Sequence, residues 1–324
     1  MLSSLPPELI IHHLFPFLDS SSKLILQHVL WHTPLPLILS PSLQQEICQY
    51  STSFISFFQS QIDFLLLPFY LAIHSNFPAF IWARDNNYSF DEITFLTVVS
   101  HGDLVILQWL LDNGSPWYYL TFPFAAISGR LDVLIWLLTH GCPLNYLTLS
   151  NAAMYGHLHL IDWLIFHRCP WNSSICHTAA LHGHLDVLIC LRDHGCPWDQ
   201  DTCESAAEGN FLHILQWARS NGCPWDHSTC SAASSNNHLD LLIWCRANGC
   251  PWNKSTCDAA SLNGHLETLQ WARANGCPWD EETFRFAESG GYSHVITWLL
   301  DNGCPRYDIL YDDHDVYHDY YHDF

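Results

Sequence analysis

The sequence predicts an all-α protein, an α-solenoid built from helix-turn-helix repeats, and three observations predict it. A Cys-Pro step recurs every 27 residues at Cys142, Cys169, Cys196, Cys223, Cys250, Cys277 and Cys304, with Ser115-Pro116 one period earlier. Two tryptophan columns keep the same step. One reads Trp82, Trp109, Trp136, Trp163, Trp217, Trp244, Trp271 and Trp298, with Cys190 in its gap; the other reads Trp117, Trp171, Trp198, Trp225, Trp252 and Trp279. Together they hold fourteen of the fifteen tryptophans, which excludes coincidence. Inside each period the apolar residues follow helical spacing, interrupted twice by Gly.

The chain has 324 residues, and a stacked array accommodates that length by adding units to one continuous core. Hydrophobic residues make up 49% and charged residues 13%, as suits a chain that buries much of itself. Against 11 basic residues stand 32 acidic ones, a formal charge of −21. That balance argues against nucleic acid, whose affinity comes largely from Lys and Arg on phosphates, and against anionic membrane surfaces. A protein partner is the default expectation, bound by a monomer. No basic stretch follows Met1, the first lysine being Lys23, so no secretory signal is expected. The most apolar window, 62–73, contains Asp63 and Pro68 and is too short to span a bilayer. An intracellular chain, cytoplasmic or nuclear, is expected, with its fourteen cysteines reduced and mostly buried.

Residues 1–40 start with Leu5-Pro6-Pro7-Glu8-Leu9, where Pro and Glu both suit a first helical turn. Leu5, Leu9, Ile10, Leu14, Phe17 and Leu18 form an apolar stripe, and Pro16 should end or kink the helix. This segment resembles the N-terminal half of an F-box. The resemblance implies that Leu5, Pro6, Leu9, Ile10, Leu14 and Phe17 contact a Skp1-type adaptor of a ubiquitin ligase. The alternative is an amphipathic cap over the first repeat, which a solenoid needs in any case. Residues 41–74 are apolar and weakly periodic, a helical linker or capping layer.

The array itself runs over 75–306, about eight and a half units. In its clearest unit Asn253 stands as a helix N-cap, a column that also reads Asn145, Asn172, Asp199, Asp226 and Asp280. A small-residue column follows at Ala125, Ala152, Ala179, Ala206, Ala233, Ala260 and Ala287, allowing close helix approach. Asn263-Gly264 ends the first helix, the second runs from about His265 to Asn275, and Gly276 stops it. Ala259-Ala260, Asn263-Gly264-His265-Leu266-Glu267 and Asn275-Gly276 resemble the ankyrin repeat. Six residues are missing relative to the usual 33, where that family carries its β-hairpin finger. A Cys277-Pro278-Trp279-Asp280 turn replaces the finger. Such arrays behind an F-box-like segment are similar to proteins of large DNA viruses and protists, which would place this chain in a host cell if viral. The acidic tail 307–324 carries His314, His318 and His322 at helical spacing, a possible metal face outweighed by its density of like charge.

Both tryptophan columns are expected to lie in the interior as scaffold. The His after the turn, at His157, His184, His238 and His265, is expected to hydrogen-bond backbone at that turn. Cys245, Cys250, Cys257 and His238 supply enough ligands for zinc. Ala218 and Ala272 replace Cys245 in the adjacent units, so the column behaves as a small apolar site. No metal and no cofactor is therefore expected, and zinc binding is the remote alternative. No catalytic motif is present and an enzyme is not expected.

Arg192, Arg219, Arg246 and Arg273 recur one repeat apart late in the second helix, a basic ladder open to two readings. One is helix C-terminal stabilisation; the other is a stripe for an acidic partner. Candidate partner contacts are positions that vary while the scaffold repeats. Four residues after the Cys-Pro step these read Tyr119, Tyr146, Ser173, Gln200, His227, Lys254 and Glu281; eight after, they include His177, Glu204, Asp258 and Arg285. The protein is thus expected to be a protein-binding scaffold, in sharper form a substrate-recruiting F-box adaptor, otherwise a plain binding solenoid.

Overall fold

A computed structural model describes residues 71–307 except 73, 74, 76 and 86. The F-box-like contacts Leu5, Pro6, Leu9, Ile10, Leu14 and Phe17 and the acidic tail lie outside the described residues. The described chain is helical, with no strand among the described residues, and divides along the sequence into two compact units, the division falling between Thr148 and Leu149.

In the first unit five helices precede the boundary: α1 (Phe77–Asp85), α2 (Glu92–His101), α3 (Leu104–Asp112), α4 (Thr121–Ile127) and α5 (Leu131–Thr139). Asp91 caps α2 by accepting from the Thr94 amide, and Gly102 terminates it in the left-handed conformation. First helices α2 and α4 pack on each other, and each packs on its own second helix, α3 or α5. Phe95, Leu96, Ile106, Leu107, Leu110, Phe122, Leu134 and Leu137 form the buried core. Arg130 reaches back to donate from Nη1 to the His101 carbonyl (2.7 Å), tying one helix pair to the previous one.

α6 (Tyr146–Met154) spans the boundary. The second unit continues as α7 (Leu158–Phe166), α8 (Ser174–Leu181), α9 (Leu185–Asp193), α10 (Gln200–Glu208), α11 (Leu212–Ser220), α12 (His227–Ser235), α13 (Leu239–Ala247), α14 (Lys254–Leu262), α15 (Leu266–Ala274), α16 (Glu281–Gly290) and α17 (Ser293–Asp301). Short turns force each pair to run antiparallel. The first helices α8, α10, α12, α14 and α16 stack consecutively. Ala179, Ala206, Ala233, Ala260 and Ala287, all fully buried, sit where they stack and allow the close approach. The second helices bury a Leu/Ile/Val stripe, for example Val187, Leu188 and Leu191 of α9.

Asp199, Asp226, Asn253 and Asp280 cap α10, α12, α14 and α16, each accepting the amide two residues on. His184, His238 and His265 do bond backbone at the turn, but across the repeat. Each Nε2 meets a carbonyl 30 residues earlier, Met154, Glu208 or Ser235, at 2.9–3.1 Å. A carbonyl only accepts, so Nε2 carries the proton. Gly264 needs to be glycine twice over: its φ is +76°, and a Cβ there would lie 2.5 Å from the Tyr292 ring.

The tryptophans correct the sequence reading. Their rings are half-buried at the rim, while Ala, Cys, Leu, Ile, Val and Phe fill the interior. The indole needs more room than these closely stacked helices leave, so it covers the core's edge.

Candidate functional surface

Three sets of side chains repeat along the second unit. The first joins the tryptophan columns to the basic ladder. Arg192, Arg219, Arg246 and Arg273 place their guanidinium over Trp198, Trp225, Trp252 and Trp279, 3.9–4.2 Å from the ring centroid. Each Nη1 also donates to a carbonyl four residues on, at Cys196, Cys223, Cys250 or Cys277. The other ring of each pair comes from the next second helix: Trp198 meets Trp217 edge-on at 5.7 Å, and Trp225–Trp244, Trp252–Trp271 and Trp279–Trp298 repeat it at 5.8–6.0 Å. All four ladder guanidinia are thus engaged inside the scaffold, satisfying loop carbonyls and stacking on indoles. The spacing of six between Arg and Trp was visible in sequence; that the two columns make one motif was not.

Sulfur forms the second set. Cys196, Cys223, Cys250, Cys277 and Cys304 are buried and donate from Sγ to the carbonyl 24 residues earlier, at 3.3–3.5 Å, that of Asn172 for Cys196 and that of an N-cap residue for the other four. Burial pushes Cys142 up to about 12 and Cys169 and Cys304 up to about 11, so these stay thiols at neutral pH. The four ligands considered for zinc do not converge. Cys245 and Cys250 lie beside Cys230, whereas Cys257 lies beside Cys277 and His238 is occupied at the turn by the Glu208 carbonyl. The described cysteines are all free.

The third set is a polar ridge on the first helices. Gln200, His227, Lys254 and Glu281 each open a first helix, at α10, α12, α14 and α16, directly after the cap. One turn later stand Glu204, Ser231, Asp258 and Arg285, with His177 at that level in α8. Gln200, His227, Lys254 and Arg285 are exposed, His177, Glu204 and Glu281 half-buried, and Asp258 buried. Adjacent repeats join along the ridge. His177 Nε2 lies 2.6 Å from Asp199 Oδ1, Lys254 Nζ 2.6 Å from Asp280 Oδ2, and Thr283 Oγ1 donates to Asp258 at 2.5 Å. The Lys254 hydrogen bond holds the Asp280 carboxyl below the ordinary range. Burial, outweighing the Thr283 bond, holds that of Asp258 above it. In the first unit Tyr119 and Tyr146 are exposed. Sequence reasoning read Asp199 and Asp280 only as caps; the capping oxygen Oδ1 of Asp199 also meets His177, and the second oxygen of Asp280 meets Lys254, so both belong to this ridge.

No protein-family model and no curated protein matches the chain. Among solved structures it is similar to the human ASB11 ankyrin repeat domain, with 16% identity over 57% of this chain and 99% of that one and a TM-score of 0.45. It is also similar to the pentatricopeptide repeat protein PPR10 in complex with an 18-nt psaJ RNA element, with 14% identity, 82% and 48% coverage and a TM-score of 0.38. Likeness at this level adds nothing to the fold described above. No helix among the described residues is long and apolar enough to cross a membrane.

Proposed function

We propose that the array is a non-catalytic protein-binding scaffold whose first-helix ridge makes the specific contacts. One observation carries this: the ridge changes chemistry from repeat to repeat while the caps, turns, alanines and Arg–Trp stacks beneath it do not. A scaffold that repeats while one solvent-facing column varies is built to present that column. The basic ladder is engaged within the scaffold, which favours the ridge over an acidic-partner stripe. Asp199, Asp201, Glu204, Asp280, Glu281 and Glu282 outnumber Lys254 and Arg285 there, so the complementary partner is a Lys- and Arg-rich protein segment.

Lysine at Gln200, Glu204 and Glu281, which adds one positive charge and reverses two negative ones, tests this. Affinity for basic peptide arrays should fall and lose its salt dependence while the circular-dichroism melt stays unchanged. Binding that survives the triple variant overturns the assignment, and tighter binding of single-stranded RNA than of peptide by the wild type would point to nucleic acid instead. The F-box-like Leu5-Pro6-Pro7-Glu8-Leu9 supports a finer role, docking of residues 1–40 to a Skp1-type adaptor. Adaptor capture that survives Leu9→Asp plus Leu14→Asp would defeat that role.

A further inference from the structure

The second helices keep their columns so closely that departures confined to one place are informative. The column of Trp163, Trp217, Trp244, Trp271 and Trp298 is broken only at Cys190 in α9. One residue earlier the column reads Ile189, Gln216, Ile243, Gln270 and Thr297, and an acid appears only as Asp162 in α7. α7 and α9 are neighbouring second helices, so the two exceptions meet: Cys190 Sγ donates to Asp162 Oδ1 at 3.2 Å. His194, one turn beyond Cys190, shares its column with His140 and His167 of the preceding repeats, while the later repeats carry Asn221, Asn248, Asn275 and Asn302. Its Nδ1 lies 3.8 Å from Cys190 Sγ and its Nε2 3.9 Å from Asp162 Oδ1. One ligand atom from each residue falls within 4.8 Å of the others. The edges of a tetrahedron with metal bonds of ~2.0–2.3 Å are of similar length.

We propose that Asp162, Cys190 and His194 form a site for a borderline-soft divalent cation of the zinc class, water completing a tetrahedron and the ion clasping two adjacent repeats. The donor set selects that class: thiolate with imidazole suits zinc or cobalt, whereas magnesium and calcium take oxygen. Imidazole orientation is already arranged. Nδ1 lies 2.9 Å from the Cys190 carbonyl, which only accepts, so the proton sits on Nδ1 and the Nε2 lone pair faces Asp162. Cys190 is half-buried, whereas the other described cysteines are buried. Burial, the Asp162 hydrogen bond and the fields of Asp162, Asp193 and Asp186 push its thiol up to about 12. A dication is drawn by the same negative field and releases the thiol proton to solvent as it binds. A second cluster, His177, Asp199 and Asp201, lacks sulfur, and its Asp199 Oδ1 already caps α10 and meets His177.

The test is titration of the reduced full-length chain with Co²⁺, followed by displacement with Zn²⁺. One equivalent should bind with a thiolate-to-cobalt charge-transfer band that Zn²⁺ abolishes. The tail histidines His314, His318 and His322 cannot produce a sulfur band. Cys190→Trp, Asp162→Gln and His194→Asn restore residues that other repeats carry at these positions, and Cys190→Ser adds a near-isosteric control. Second-shell losses already weaken metal sites by about 10–100-fold, so each ligand variant should weaken Co²⁺ at least about 100-fold. The band should vanish in both Cys190 variants. Its absence from the wild type, its persistence in Cys190→Ser, or unchanged affinity in Asp162→Gln and His194→Asn overturns the site.

Discussion

Removing one rung of the Arg–Trp ladder should cost stability out of proportion to its partial exposure. In Arg246→Ala the loop after α13 loses a charged hydrogen bond to the Cys250 carbonyl and the guanidinium over Trp252 at 4.1 Å. A hydrogen bond to a charged group contributes about 1.5–3 kcal/mol, discounted here because the freed carbonyl gains some water. The cation–π contact adds about 0.5–1 kcal/mol at this half-buried site. The sum is about 2–3 kcal/mol. Arg246→Lys keeps charge but not the planar stack and should fall between. Arg285, exposed and paired only with Glu282 three residues away, is the control, and Arg285→Ala should change stability by less than about 0.5 kcal/mol. Urea unfolding followed by circular dichroism measures all three, fitted with nearest-neighbour coupling because repeat arrays depart from two-state behaviour. The cycle of Arg246→Ala with Trp252→Ala should show coupling of about 1 kcal/mol. Arg246→Ala indistinguishable from Arg285→Ala would refute the ladder's scaffold role.

Three further outcomes follow from the same geometry. Asp258 is buried with a raised carboxyl pKa, so folding favours its protonated form. Wild-type stability relative to Asp258→Asn is therefore greatest below the unfolded pKa of about 3.9 and is lost as pH rises through the folded value. At pH 7 the Asn variant should be the more stable of the two, a gap that closes in acid unfolding titrations. Ala233→Leu places a large side chain where α12 stacks on its neighbours and should cost at least about 1–3 kcal/mol in urea melts. Gly264→Ala forces a side chain into the left-handed region and against Tyr292, and thermal unfolding should show a loss of about 1–2 kcal/mol.

Much of the architecture was open to reading before any coordinates, because the information repeats. Asn253, Gly264 and Gly276 act through local backbone geometry, so their type and spacing alone specify where helices start and stop. The Ala179–Ala287 column likewise announced close stacking. The tryptophans misled because hydrophobicity and period say that a residue packs, not how deeply; ring size against the room between helices decides depth. The ridge was readable as variable columns, but its links, such as His177 to Asp199 and Lys254 to Asp280, depend on distances between repeats that no single repeat encodes.

What the sequence determined by itself is thus the repeat: a helix pair with caps, a glycine turn and small residues on its stacking face. These are consequences of short-range backbone chemistry, fully expressed within 27 residues. Only the tertiary structure decided which side chains from different repeats meet. Trp252 against Trp271 and Cys190 beside Asp162 arise from stacking, where a rise of one helix diameter brings together residues far apart along the chain.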